Sequence, residues 1–315
     1  MLRLLAATAL CALLGVPHSL LAAATRTHVA SSGNDANAAF SCDYAHPCRT
    51  FAVALANTTP GGEILAIDSS GYGKLVIDRS VSIIAAPGVF AGIGVGAGGN
   101  ATGVDIATAG VKVVLRGLTI TGQGGTYGIR MTDGASLSVE NCVVANFSAA
   151  SQIGLLVAAP AKVRILDTLI RDNYNGVRLQ SGATASISGS ELLGNTNTGI
   201  DLYGMAAATT TTAVVSDTVV AGRGSGWGIL AETAAGVTAR LEVIRSTVSG
   251  HANGVASWTS GGTSFVALGD SMVVGNTTGL YQSGAGASFH SFGNNLVTDN
   301  GADTNGGTIT AMPRT

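Results

Sequence analysis

Three charged residues, Asp217, Arg245 and Asp270, recur at intervals of 28 and 25 residues. If each interval is one turn of a repeating structure, the arginine stands between two carboxylates. A β-elimination on an acidic sugar needs carboxylates that hold Ca²⁺ or contact the uronate, and a basic group that accepts a proton. The simpler interpretation is a ladder of ion pairs that neutralises stacked charges. We favour the ladder because two neighbouring acids keep an arginine protonated.

A second set of polar and aromatic residues follows the glycines of the same repeat. They stand two or four places after a glycine, where the alternation of a β-strand points side chains outward. The set consists of Arg178, Asp201, Tyr203, Glu232, Trp258 and Tyr281. Aromatic faces beside polar groups suit sugar rings, so the set predicts a shallow glycan-binding face. The alternative is a scatter of unrelated surface aromatics.

Both sets depend on a repeat that must place these residues in columns. Each copy has a reference position, which is small in most copies, with an apolar residue three places before it and another two places after it. The reference positions are Leu118, Cys142, Thr168, Ser190, Thr218, Ser246, Ser271 and Asn295. A glycine followed by an aliphatic residue comes later in each of the first seven copies, as in Gly176-Val177 and Gly199-Ile200.

A mostly polar column lies five places after the reference position, and it includes Asn173, Asn195, Asn276 and Asn300. Short β-branched runs that are broken by glycine and asparagine cannot bury their apolar face alone, but stacked copies can. Asparagine suits a turn because it tolerates a left-handed backbone, and its amide can bond to the asparagine of the next copy. Leucine-rich repeats have a similar period, but here valine and isoleucine replace leucine. The sequence therefore predicts an all-β solenoid.

This frame resembles the right-handed parallel β-helix of the pectin-lyase-like superfamily over roughly residues 63–300. The segments Cys48–Phe51, Gly61–Ile64 and Gly71–Ile83 also look like the opening module of exported bacterial β-helix repeat proteins. The resemblance implies about nine or ten coils with a short N-terminal capping helix. It implies no single activity, because the superfamily includes lyases, hydrolases, esterases and adhesins. The adjacent aspartates of polygalacturonase-like enzymes are absent from the sequence.

Four segments are predicted along the chain. Residues 1–24 have an arginine, an apolar stretch and a small-residue end, which indicate a signal peptide. Residues 25–62 are predicted as an irregular lead-in and a cap with a helix between Cys48 and Thr58, residues 63–300 as the β-helix, and residues 301–315 as a tail that loses the repeat. We expect the glycine-rich run at 89–103 to be a loop inserted between coils.

The cysteines support export. Cys42 and Cys48 are close in sequence, and in an oxidising compartment they are expected to form a disulfide. A metal site is the alternative, but no second Cys or His pair lies nearby. Cys142 occupies a small position of the repeat, so we expect a packed core thiol.

The composition narrows the class of protein. The sequence has 45 glycines and only 11% charged residues, which makes long helices improbable, and its formal charge of −2 argues against nucleic acid or an anionic membrane as partner. No stretch after residue 24 is long and apolar enough to span a bilayer. We therefore expect a secreted, periplasmic or surface-associated protein that binds polysaccharide without catalysing a reaction. We expect no cofactor. The alternatives are a lyase or hydrolase of acidic polysaccharide, with Ca²⁺ in the lyase case, and a purely structural surface protein.

Overall fold

The repeated β-branched and aliphatic runs form short strands, and the glycine and asparagine positions between them form the turns. A computed structural model describes residues 23–98, 101–204 and 206–313. Within these residues the strands form three parallel sheets, and the chain passes from sheet 1 to sheet 2 to sheet 3 in each coil. The fold is a right-handed parallel β-helix of about nine turns, which confirms the predicted fold class.

The strand bounds of the three sheets are as follows. Sheet 1 contains Ala24–Val29, Thr58–Ala66, Val81–Ala85, Lys112–Arg116, Ser136–Glu140, Lys162–Leu166, Thr184–Ser188, Thr210–Ser216, Thr238–Ile244, Thr263–Gly269, Ala287–Phe292 and Ile309–Met312. Sheet 2 contains Ser70–Gly71, Ala91–Gly96, Leu118–Gln123, Val143–Ala145, Leu169–Arg171, Glu191–Leu193, Val219–Ala221, Thr247–Ser249, Met272–Val274 and Leu296–Thr298. Sheet 3 contains Leu75–Ile77, Thr102–Ala107, Tyr127–Asp133, Ile153–Val157, Asn175–Leu179, Thr198–Gly204, Trp227–Thr233, Asn253–Thr259, Thr278–Ser283 and Ala302–Gly306.

The core consists of stacked aliphatic side chains. Ile165 pairs with Ile187, which pairs with Val215, and all three are fully buried. Full burial of one such side chain stabilises the fold by about 1.5–3 kcal/mol. The predicted alignment of the coils is therefore confirmed for these core positions.

The corner between sheets 1 and 2 requires a left-handed backbone. The residue before seven of the eight reference positions has a positive φ, from 47° at Arg245 and Asp270 to 74° at Gly117. Gly, Asn and Asp tolerate this region best, which explains why they fill most of this column. The reference positions themselves form a hydroxyl ladder, because the backbone N–H of Thr168 donates to Ser190 Oγ at 3.2 Å and that of Thr218 donates to Ser246 Oγ at 3.2 Å.

The corner between sheets 2 and 3 contains the predicted amide ladder. Asn195 Oδ1 accepts from the backbone N–H of Asn173 at 3.1 Å and from its side-chain Nδ2 at 3.0 Å. Asn300 makes the same two contacts with Asn276, each at 3.0 Å. These bonds connect successive coils outside the sheets themselves.

Glycine recurs at the second position of most sheet 3 strands because the backbone of the next coil lies against it. A Cβ at Gly176 would lie 2.5 Å from the carbonyl oxygen of Gly199, and one at Gly199 would lie 2.6 Å from that of Gly228. Contacts this short exclude any side chain, so the column is glycine for reasons of space.

The N-terminal end is closed by a helix at Phe51–Ala56, which bears out the predicted cap. The side chain of Asp35, in the short 3₁₀ helix Asp35–Phe40, accepts from the backbone N–H groups of Arg49 and Thr50 at 2.8 and 3.0 Å. A disulfide joins Cys42 to Cys48, as predicted, and both residues are buried.

Three segments differ from the predicted boundaries. Residues 24–29, predicted to be irregular, form a strand that pairs with Thr58–Ala66. The glycine-rich run contains the strand Ala91–Gly96, in which Ala91, Ile93 and Val95 face the core. Residues 302–306 and 309–312 add strands to sheets 3 and 1, so the stack continues into the predicted tail. The predicted signal peptide lies almost entirely outside the described residues.

Candidate functional site

The outer face of sheet 3 brings the six residues of the predicted glycan-binding set into two adjacent columns. One column runs from Arg178 to Asp201, Leu230, Ala256 and Tyr281. The other runs from Tyr203 to Glu232 and Trp258. The residues come from five successive coils, and parallel strands place neighbouring members of a column about 4.8 Å apart.

Arg178 and Asp201 form a pair beneath this face. Arg178 Nε donates to Asp201 Oδ2 at 2.8 Å, and the guanidinium carbon lies 4.5 Å from the ring centre of Tyr203. The Asp201 side chain is only 1% exposed. Although strand alternation directs Asp201 outward, its neighbours cover it, so it supports the face rather than contacting solvent.

Glu232 lies beside this pair and keeps an accessible surface. Burial raises the pKa of Glu232, the negative charge of Asp201 raises it further, and Arg178 lowers it. Burial likewise raises the pKa of Asp201, against the opposing effect of Arg178. Among the described residues, none forms a hydrogen bond with the Glu232 carboxyl group, so that group remains available to a ligand.

Two shallow depressions meet at Glu232 and Trp258. The first has a volume of about 350 Å³ and is bounded by Tyr203, Glu232 and Trp258. The second has a volume of about 190 Å³ and is bounded by Glu232, Trp258, Trp227, Tyr281 and, at its floor, Leu230. We call Tyr203, Trp227, Glu232, Trp258 and Tyr281 the aromatic strip.

Trp227 is the member of the strip that the sequence analysis missed. Its ring centre lies 5.5 Å from that of Tyr281 in an edge-to-face arrangement. Trp227 stands one place before the glycine of its coil, and it pairs with Thr198 and Asn253. The predicted glycan-binding set contains only positions after the glycine, so it could not include Trp227. The column directly before the glycine contains the aromatic residue that would have identified it.

The second predicted set, Asp217, Arg245 and Asp270, lies at the exposed corner between sheets 1 and 2. Arg245 donates from Nε and Nη2 to the two Asp217 carboxylate oxygens, each at 2.8 Å. These bonds lower the pKa of Asp217 and raise that of Arg245. Asp270 accepts a hydrogen bond from the side chain of Asn294 on the next coil.

This corner is a poor position for proton abstraction. A guanidinium with a raised pKa holds its proton more firmly. To act as a general base, Arg245 would first have to lose that proton before it could accept one from a substrate. A depression of about 730 Å³ on the outer face of sheet 1 includes Asp270 in its lining but neither Asp217 nor Arg245. The column thus has the geometry of an ion-paired turn.

Other chemically active groups are few in the part of the chain that the structure describes. No group of three or more His, Cys, Asp or Glu residues in that part is placed to hold a metal ion. Cys142 is buried, donates to the carbonyl oxygens of Leu115 and Glu140 at 3.5 and 3.3 Å, and has its pKa raised to about 11 by burial. It is a core thiol, as predicted. None of the helices in the described ranges has the length and apolar character needed to cross a membrane.

Comparison with known proteins shows which known fold the chain shares. A sequence profile described as "Right handed beta helix region" matches residues 102–268, more than half of the chain. No curated protein has a significant match. The structure is similar to that of pectate lyase Pel9A, with a TM-score of 0.61 and 15% identity over 90% of this chain and 78% of the lyase chain. It also matches the A-module of the mannuronan C-5 epimerase AlgE4 from Azotobacter vinelandii, with a TM-score of 0.47 and 9% identity over 81% of this chain and 91% of that module.

At 15% identity the likeness to the pectate lyase shows a shared fold alone. The profile match covers six complete coils, which contain most of the aromatic strip, and the observed sheets follow the same architecture. The chain therefore belongs to the right-handed β-helix family.

Proposed function

We propose that the protein is an exported, non-catalytic protein that binds glycan chains along the aromatic strip. The observation that supports this most directly is that Glu232 and Trp258 form the shared wall of two depressions, with a further aromatic residue on either side. Aromatic rings offer large apolar faces at a low cost in conformational entropy. A carboxyl group between them supplies hydrogen bonds to hydroxyl groups.

Binding fits the strip better than hydrolysis does. Most glycoside hydrolases use two carboxyl groups that both reach the scissile bond or its attacking water. Here Glu232 is accessible, but the neighbouring Asp201 is covered and is bound by Arg178. The strip therefore offers one reachable carboxyl group.

Export is supported by the disulfide between Cys42 and Cys48, because such bonds persist in oxidising compartments. The apolar segment predicted as a signal peptide at residues 1–24 agrees with this. The location remains part of the proposal.

A glycan array tests the proposal. Trp258→Ala and Tyr203→Ala should each weaken binding by about tenfold or more if these rings are the main contacts. Tyr44→Ala serves as the matched control, because Tyr44 is 71% exposed and lies on the N-terminal loop, far from the strip in sequence and on another part of the fold. Unchanged binding in both strip variants would contradict binding along the strip. No binding by the native protein would contradict the proposal and favour a purely structural role.

A further inference from the structure

The inference that follows rests on the proposed function and concerns the class of glycan. The described residues that line the two depressions include no lysine or arginine. Their only ionisable acid is Glu232, and the remaining lining groups are aromatic, aliphatic, hydroxyl or backbone groups. A uronate chain, with one carboxylate on each sugar, would find no cation to pair with on this surface.

Arg178, a cation beside the strip, is already bonded to Asp201. Arg178 donates from Nε to Asp201, its guanidinium lies against the Tyr203 ring, and its side chain is 20% exposed. Removing Arg178 from Asp201 would leave a fully buried carboxylate without a counter-charge, which is costly. Arg178 is therefore held as the structural partner of Asp201, and it lines neither of the two depressions.

The charge balance of the region is consequently neutral to negative. The Arg178 and Asp201 charges cancel, and Glu232 adds a negative charge when it ionises. An ionised Glu232 would repel a uronate carboxylate seated between Tyr203 and Trp258, whereas it could accept hydrogen bonds from the hydroxyl groups of an uncharged sugar.

We infer that the aromatic strip selects uncharged sugar chains and discriminates against uronate chains. The structural neighbour is named as a pectate lyase, so the shared fold alone would not suggest this preference. The distinguishing feature is local, and it is the absence of a free cation from the described lining of the strip.

The test compares neutral oligosaccharides of glucose, xylose and mannose with oligogalacturonate and oligomannuronate by calorimetric titration at about pH 8, where Glu232 is ionised. We expect the best neutral chain to bind at least about tenfold more tightly than either uronate. Glu232→Gln should reduce that difference by improving uronate binding. Glu191→Gln removes the same charge from an exposed position on sheet 2 and should leave the difference unchanged.

The outcomes separate the two proposals. Equal or tighter binding of a uronate by the native protein would overturn the inference and leave glycan binding intact. A neutral-to-uronate difference that is the same in Glu232→Gln as in Glu191→Gln would also overturn it. Failure of every chain to bind would contradict the proposed function, and the inference would fall with it.

Discussion

Arg178 contacts only one of the two carboxylate oxygens of Asp201, at 2.8 Å, and among the described residues Asp201 Oδ1 has no hydrogen-bond partner although it is buried. The pair of Arg130 and Asp105, earlier in the same column, is different because Arg130 binds both oxygens, at 2.9 and 2.8 Å. The incompletely bound carboxylate of Asp201 lies next to Glu232. This places two acids in one partly covered site, with one arginine to compensate them.

The first prediction concerns stability and pH. Folding raises the pKa of Asp201 from 3.8 to about 6 and that of Glu232 from 4.5 to about 7, chiefly through burial. The unfolded chain therefore loses these protons at a lower pH than the folded protein does. The contribution of the two acids to the free energy of unfolding should fall as the pH rises from about 4 to about 7 and should then level off.

Urea titrations across this range measure the effect. Glu232→Gln should be more stable than the native protein at pH 8, by a margin that shrinks toward pH 4. Glu191→Gln, at an exposed position, should follow the native curve. A native stability that rises steadily from pH 4 to pH 7, with no difference in Glu232→Gln, would contradict the raised pKa of Glu232.

The second prediction concerns the glycine column of sheet 3. In Gly176→Ala the new Cβ would meet the Gly199 carbonyl oxygen at 2.5 Å, so the coils must separate and the free energy of unfolding should fall by about 1–3 kcal/mol or more. Gly293→Ala is the control, because nothing lies within 4 Å of a Cβ there. Equal denaturation midpoints for the two variants would show that the close approach is relaxed at no cost.

The third prediction concerns the amide ladder. Asn195→Ala removes the acceptor of two Asn173 donors and the Nδ2 donor that bonds to the Ile170 carbonyl oxygen at 3.0 Å. Each buried group left unsatisfied costs about 1–3 kcal/mol. Asn305→Ala, at an exposed position, should change stability little. Hydrogen exchange should show faster exchange around residue 173 in Asn195→Ala, and unchanged rates there would argue against a role for the ladder.

The fourth prediction concerns the charged corner. Oligogalacturonate incubated with the protein, with and without Ca²⁺, should give no unsaturated product by ultraviolet absorbance, because Arg245 is held protonated by Asp217. Ca²⁺-dependent product that disappears in Arg245→Ala but persists in Arg164→Ala would establish the lyase alternative. Arg164 is a suitable control because it is an exposed arginine on sheet 1 and does not line the depression that includes Asp270.

The core was predictable because its chemistry repeats. Ile165, Ile187 and Val215 occupy one position in three coils, and any stack that buries one must bury all three. The strand Ala91–Gly96 was missed because glycine at its outward positions resembles a loop, although Ala91, Ile93 and Val95 alternate inward. The strand Ala302–Gly306 was missed because its residues are exposed and mostly polar, so it lacks the apolar alternation of the earlier copies.

The site was predictable only as a set of columns. Strand alternation correctly directed Asp201 and Glu232 outward, but it could not show that Arg178 would cover Asp201 and leave Glu232 accessible. The solvent exposure of an outward-directed side chain depends on whether a longer side chain from a neighbouring coil lies across it. The left-handed corner was not predicted, although the Gly, Asn and Asp that fill most of its column tolerate that backbone region, and Arg245 is the exception among them.

The strands that present Tyr203, Glu232 and Trp258 pair without a register shift. The three side chains therefore lie in line along the long axis of the molecule, and a ligand that touches all three must extend over two inter-strand spacings, about 10 Å. Backbone hydrogen bonding fixes this translational period. A substitution in the strip can change the side chain at one position along this line, but the distance between neighbouring positions remains the inter-strand spacing of sheet 3.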